Sequence, residues 1–247
     1  MKVLFSPSET KSTLVTDPQM SASAFIFPQL YHDRLAVIER YMQLLATKDH
    51  TLLAELFGIQ DASKYETYLS SSLMEQKTCK AIERYTGVAY DYLDYTSLDQ
   101  SAKDFIDENV LIFSNLFGPL LASNLIPEYK YKQGTSLNGY HPEAFFKTTF
   151  TPSIDEWLCD DVIVDLRASF YEKFYMPSIP YITMKFLKNG KVVSHFAKAY
   201  RGAVLREIAL HQPQSENELQ NIVFNNLKIV EIQHKKLKRE YTYEIID

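Results

Sequence analysis

Apolar positions recur at helical spacing in some stretches of the chain and in short unbroken runs in others. Tyr31, Leu35, Ile38, Met42 and Leu45 follow at alternating four- and three-residue steps, the stripe of an amphipathic helix. Shorter helical stretches come next at about 50–57 and 62–70, and a longer one from Leu73 to Tyr85 with Gly87 as its C′ residue. Ser97 and Gln100 form a capping-box pattern for a helix reaching about Glu108. Val3–Phe5, Val110–Phe113 and Val162–Leu166 are apolar runs of strand length. Ile179–Phe196 predicts a β-hairpin, because Asn189-Gly190 tolerates the positive φ that matches strand twist. Helices from about Lys198 to Leu210 and near 215–222 precede two alternating strands, Ile229–Ile232 and Tyr241–Ile246. Helices and strands interleave without a regular βαβ rhythm. The expected fold is therefore α+β, a single compact mixed domain over 1–247 with no linker and no internal repeat.

Charge sharpens this picture. The chain carries 26 Lys+Arg against 31 Asp+Glu, a net of −5, which excludes a uniformly basic coat for polyanions. Its distribution is uneven. Residues 1–161 hold 13 bases against 22 acids, and 162–247 hold 13 against 9. A confined basic face on an acidic body is what this polarity permits. The two cysteines, Cys79 and Cys159, are far apart and outside any ligand motif, the usage of a reducing compartment. No run approaches the ~20 apolar residues of a membrane span, and the N-terminus lacks the apolar stretch of a secretory signal. The expectation is a cytoplasmic protein with no membrane partner.

Familiar catalytic signatures are missing. The chain has no phosphate-binding glycine loop, no H-E-x-x-H, and no G-x-S-x-G elbow. Neither a metal nor a cofactor is called for, and no catalytic residue can be named.

Five segments carry the signal instead. They are Phe5–Lys11 (FSPSETK), Arg84–Tyr95 (RYTGVAYDYLDY), Val110–Leu120 (VLIFSNLFGPL), Val162–Arg167 (VIVDLR) and Ser194–Gly202 (SHFAKAYRG). In this order and spacing the chain resembles, over nearly its whole length, the YaaA family of bacterial peroxide-stress proteins. That resemblance implies a cytoplasmic single-domain protein of mixed fold, linked to oxidative stress and able to bind DNA, with no established catalysis. Glu9 stands where the family usually carries a second base. Leu53–Gln60 with Ala62 and Lys64 resembles a helix-hairpin-helix element, at about 50–70, in which Gln60 replaces the second hairpin glycine. In such a module Gly58 shapes a turn whose backbone N–H groups meet a phosphate, positioning the protein without reading sequence.

Each candidate residue has two readings. Ser6 and Lys11 sit where a buried strand ends, a frequent ligand position in open sheets, or they cap a turn. Arg167 can hold a phosphate bidentately or pair with Asp165. His195, Lys198, Arg201 and Arg206 lie where a hairpin strand passes into a helix, so first-turn N–H groups and three cations can meet an anion. His195 is equally a hydrogen-bonded strand-end histidine. Lys132 closes the run Tyr129-Lys130-Tyr131-Lys132, which suits base stacking beside phosphates or a half-buried extended strand. Lys235–Arg239 reads as a solvated turn or a DNA contact. The leading expectation is sequence-non-specific, backbone-directed DNA binding in a confined basic cleft, by a chain taken as a monomer. The competing class is a DNA- or nucleobase-processing enzyme using Lys11 or Lys198 as a reactive amine. Iron sequestration is a third, poorly served by the dispersed Cys and His.

Overall fold

β1 (Lys2–Phe5) is hydrogen-bonded in parallel on both edges, to β3 (Val110–Ser114) and to β6 (Ile163–Asp165). That is why Val3, Leu4 and Phe5 are unbroken apolar residues: both faces of the strand are covered, and all three are buried. The computed structural model describes residues 1–16, 19–69 and 73–246, apart from the side chains of Ala24, Ser194 and His195. The sheet continues through β7 (Tyr181–Lys188), β10 (Lys238–Ile245) and β9 (Leu227–Lys235) on one side, and ends at β4 (Gly118–Leu121) on the other. Five central strands run parallel, while β4 and β9 are antiparallel edges. Chain order reverses between β1 and β6, since β3 and β4 build leftward and β6, β7 and β10 build rightward. A two-stranded sheet pairs β2 (Cys79–Lys80) with β5 (Leu125–Ile126). The fold is a single α+β domain with a mixed sheet.

The helices are α1 (Tyr31–Ala46), α2 (His50–Phe57), α3 (Ala81–Arg84), α4 (Val88–Leu93), α5 (Gln100–Asn109), α6 (Pro142–Leu158), α7 (Ser194–His211) and α8 (Glu216–Asn221). α1 buries Val37, Ile38, Tyr41, Leu44 and Leu45, and also Arg34, while Tyr31, Leu35 and Met42 of the expected stripe are only half-buried. That guanidinium donates to the carbonyls of Ile26 (2.8 Å) and Phe117 and lies over the Phe150 ring, tying α1 to the turn before β4. The Asn189-Gly190 hairpin forms as expected, with φ of 52° and 71° and Lys188 opposite Lys191.

Several expectations need correction. The return strand β8 is only Lys191–Val192, and α7 starts at Ser194, four residues before Lys198. Leu73–Tyr85 is not one helix. Cys79 and Lys80 instead pair with β5, and α3 is a single turn. Gly87, at φ 99°, precedes α4 rather than following a long helix. α5 is capped by Asp99, whose carboxylate accepts from the Ala102 amide at 2.8 Å, not by Ser97. α6 carries Thr148, Thr149, Thr151 and an internal Pro152, poor helix formers that mask its apolar stripe of Phe146, Phe150 and Ile154.

α7 packs on α4, α5 and β7, and its approach to α4 depends on Gly202. A Cβ there would lie 1.9 Å from the Ala89 carbonyl oxygen. Gly202→Ala is expected to lower stability by about 1–3 kcal/mol through overpacking, read from the urea midpoint. An unchanged midpoint would show that the two helices separate freely.

Candidate functional site

Parallel strands end together, and at that end β1 and β6 release their chains on either side of the reversal in strand order. This is where open sheets leave a crevice. Here the crevice is a cavity of about 400 Å³. It is lined by Phe5, Ser6, Leu166 and Ala168, by Ser8–Thr10 and the adjoining 86–90 segment, and by Tyr171, Gln133, Lys198 and Arg201.

The Ser6–Lys11 loop is held by specific bonds. The Ser6 hydroxyl accepts from the Ala168 amide at 2.8 Å, joining the two strand exits, and Tyr90 donates its hydroxyl to the Ser6 carbonyl at 2.9 Å. Thr10 donates to the Thr86 carbonyl at 3.0 Å, and the Thr86 amide donates to the Thr10 carbonyl at 3.1 Å. Gly87 follows with positive φ, and a Cβ there would stand 3.1 Å from the Thr10 hydroxyl. Glu9 accepts from the Gln133 amide at 3.1 Å, and Gln133 in turn accepts from the Tyr171 hydroxyl at 3.3 Å. Burial, then Tyr85 and Glu9, raises the Tyr171 phenol far above its usual range, so it acts as a neutral donor. Sequence reasoning missed Gln133; its one signal was position, directly after Lys132.

Two cations face the cavity from α7. Lys198 is exposed at the rim and Arg201 is half-buried. No hydrogen bond or ion pair joins either to a described residue. Burial lowers the Arg201 pKa, and the Asp165 carboxylate opposes that shift without contacting it.

Lys11 sits behind the Ser8–Thr10 wall. Its ammonium donates to the carbonyls of Ser8 (3.2 Å) and Glu9 (3.4 Å) and lies 4.1 Å from the Tyr129 ring centre. Burial, reinforced by Lys130, pushes its pKa down to about 7 against the opposing pull of Glu9 and Glu128.

The other expected residues lie elsewhere or are already engaged. Arg167 is buried and makes a two-bond pair with Asp165 (2.9 and 2.8 Å) while donating to the Tyr171 carbonyl at 3.1 Å. Arg206 donates to the carbonyls of Leu93 (2.9 Å) and Asp94 (3.0 Å), closing the C-terminus of α4. Lys132 lies over Gly58, with its amide donating to the Leu56 carbonyl at 2.8 Å. Gly58 itself ends α2 in the left-handed region. Beyond it come single 3₁₀ turns at Ala62–Lys64 and Glu66–Tyr68, where a helix-hairpin-helix module carries a second helix. Lys64 is exposed beside Asp61 at 3.9 Å. The backbone of His195 is in the first turn of α7, and its side chain lies outside the described residues. In the run 129–132, Tyr129 and Tyr131 are buried and Lys132 is exposed, the alternation of an extended half-buried segment. Lys235 and Lys238 lie 3.7 and 2.9 Å from Glu240 at the β9–β10 turn. Among the described residues no group of three Cys, His, Asp or Glu is arranged to hold a metal. No helix of the described residues is long and apolar enough to cross a membrane.

A family model described as peroxide stress protein YaaA matches residues 1–233. An uncharacterized protein of Campylobacter jejuni is 42% identical over 247 residues, covering all of both chains. A UPF0246 protein of Streptomyces coelicolor is 30% identical over 84% of this chain and 82% of its own. Another UPF0246 protein, from Corynebacterium glutamicum, is 30% identical over 88% of each.

The division between engaged and available cations is measurable. Asp165→Ala leaves the Arg167 guanidinium buried without its partner and is expected to cost about 3–5 kcal/mol. Arg201→Ala is expected to change stability by less than about 1 kcal/mol. Equal losses in denaturant unfolding contradict the division. A second expectation follows from Lys11, whose pKa of about 7 in the fold lies below the ordinary 10.5. Between those values the unfolded chain holds more protons, so this group makes stability rise with pH across that window. The urea midpoint of Lys11→Met relative to the parent is therefore highest below pH 7 and falls toward pH 10. A difference constant over that range contradicts a penalised ammonium.

Proposed function

Because the chain belongs to the YaaA family of peroxide stress proteins, we propose that it acts in that response as a cytoplasmic nucleic-acid-binding protein. Lys198 and Arg201 take backbone phosphate, and one unstacked nucleotide occupies the cavity at the ends of β1 and β6. The observation that carries this reading is the pair of cations without protein partners on the wall of a cavity whose other charged lining residue, Glu9, accepts from the Gln133 amide. A guanidinium offers a planar fork of donors to phosphate, and a lysine at the rim adds a point charge. The cavity volume of about 400 Å³ falls in the range of small-ligand sites, which suits one nucleotide and excludes a whole duplex. Tyr171 and Tyr90 bring aromatic surface to it, and bases stack on such surface with little regard to sequence. Phosphate contacts of this kind position a strand without reading it.

Fluorescence anisotropy with labelled single-stranded, bubble-containing and fully paired DNA tests the reading. Affinity is expected to fall steeply between 50 and 200 mM salt, with Arg201→Glu weakening binding at least tenfold and flattening the log–log salt slope by about one unit. Lys64→Glu is expected to leave affinity within about twofold. Salt-independent binding, or wild-type affinity in Arg201→Glu, overturns the cleft assignment. A larger loss in Lys64→Glu moves the contact to the Gly58 turn.

A further inference from the structure

A carboxylate repels the phosphate of a nucleotide, yet Glu9 lines the cavity that is to take one. Its Oε1 accepts from the backbone amide of Gln133 at 3.1 Å, and its charge adds to burial in raising the Tyr171 phenol. The carboxylate thus lies against two other lining residues. Among the described residues no ion pair joins it to Lys198 or Arg201, and the carboxylate that acts on Arg201 is Asp165. Negative and positive groups of the lining are therefore not in contact, and a single ligand meets both only with different ends. Oε2 of Glu9 makes no hydrogen bond to a described residue, and an ionised carboxylate is an acceptor only. Gln133 supplies the opposite character. Tyr171 donates to its Oε1 at 3.3 Å, which leaves both protons of Nε2 without an acceptor among the described residues. Acceptor and donor stand side by side because the Gln133 main chain is bonded to the Glu9 side chain.

We propose that Glu9 and Gln133 form the base-reading edge of the cavity and select a guanine nucleotide. This rests on the nucleotide-binding reading of the same cavity, with the phosphate on Lys198 and Arg201. Among the DNA bases, guanine is the one whose pairing edge carries two adjacent donors, N1–H and N2–H, beside the acceptor O6. The two donors meet the Glu9 carboxylate in parallel, and Gln133 Nε2 donates to O6. Hydrogen bonds to an ionised acceptor are the stronger kind, and a parallel pair adds geometric selection. Adenine and cytosine offer the carboxylate one donor with a ring-nitrogen lone pair beside it. The single N3–H of thymine lies between two carbonyl oxygens, and the carboxylate repels both. A carboxylate that gives up water to such an edge gains too few donors in return. Backbone contacts stay blind to sequence; selection is confined to the one base in the cavity.

Two sets of probes separate base selection from nucleic-acid binding. The first is guanosine, inosine, adenosine and thymidine 5′-monophosphate, each titrated calorimetrically into the full chain. The second is a labelled DNA bubble whose only unpaired guanine is replaced in turn by hypoxanthine, adenine or thymine, read by fluorescence anisotropy. Guanine is expected to bind about tenfold tighter than thymine in both sets. Hypoxanthine, which lacks the N2 amine, should fall between them. Glu9→Gln keeps an oxygen for the Gln133 amide; it should weaken guanine binding by about fivefold and tighten thymine binding, because the repulsion of phosphate is gone. Those opposite signs are the mark of a group that reads the base. An affinity that rises equally for every base in Glu9→Gln shows a carboxylate that only repels phosphate, and overturns the proposal. Bubble binding with equal affinity for all the bases also overturns it and leaves the nucleic-acid reading standing. Preferential binding of guanosine monophosphate with no binding of any bubble supports guanine selection and removes the nucleic-acid reading. No binding in either set overturns both. If Glu9→Gln fails to fold, equal binding of guanine and hypoxanthine by the parent chain still overturns the proposal.

Discussion

A strand paired in parallel on both edges has no free backbone until it leaves the sheet, and β1 leaves at Ser6. Its neighbour β6 leaves at Leu166, whose amide still reaches back to the Leu4 carbonyl at 2.9 Å. From that point the two chains must part, because one returns toward β3 and the other toward β7. The bond between the Ser6 hydroxyl and the Ala168 amide holds them together at the point of parting. The cavity, its loop of small hydroxyl residues and its tyrosines are all built above this divergence. So is the need for Gly87 beside Thr10, where a side chain would crowd the loop.

Cations around this end of the sheet divide by burial. Arg167 lies buried just past the end of the central strand β6, where an unpaired guanidinium would be costly, and Asp165 two residues earlier meets it with both oxygens. The Asp165 carboxylate also opposes, without contact, the lowering of the Arg201 pKa that burial imposes. Arg34 and Arg84 solve the burial problem differently, by donating to backbone carbonyls, of Ile26 and Phe117 for one and of Ser12 and Ile126 for the other. Lys198 and Arg201 lie at the mouth of the cavity on one face of α7, three residues apart. Helix α7 can lie so close to α4 only because Gly202 faces Ala89.

Much of the fold was legible where a residue's local chemistry and its tertiary role agree. α1, α2 and the Asn189-Gly190 hairpin follow directly from spacing and turn preference. Legibility failed where distant pairing overrode local preference. Cys79 and Lys80 read as helical within Leu73–Tyr85, yet the backbone of Leu125–Ile126 recruits them into β2. In α6 the threonines and Pro152 obscured a helix that packing against β4 and the Phe170–Phe174 region sustains. The basic face was visible as a charge excess in 162–247, but charge counts do not distinguish Arg167, neutralised by Asp165, from Arg201. Lys132 and Gly58, taken separately as binding residues, turn out to pack on each other.

The sequence alone determined the class of fold, the buried strands, the polarity of charge and the family. Each of these is carried by residue type and by spacing within a few positions, or by a pattern spread over the whole chain. Tertiary structure decided which cations are available, where the cavity lies and what surrounds Lys11. Those outcomes depend on long-range neighbours: Asp165 reached from Arg201 across the sheet's end, Tyr129 beneath Lys11, and Ala89 against Gly202. Coulomb energy and desolvation vary with distance and enclosure, and neither quantity is written in the order of the residues.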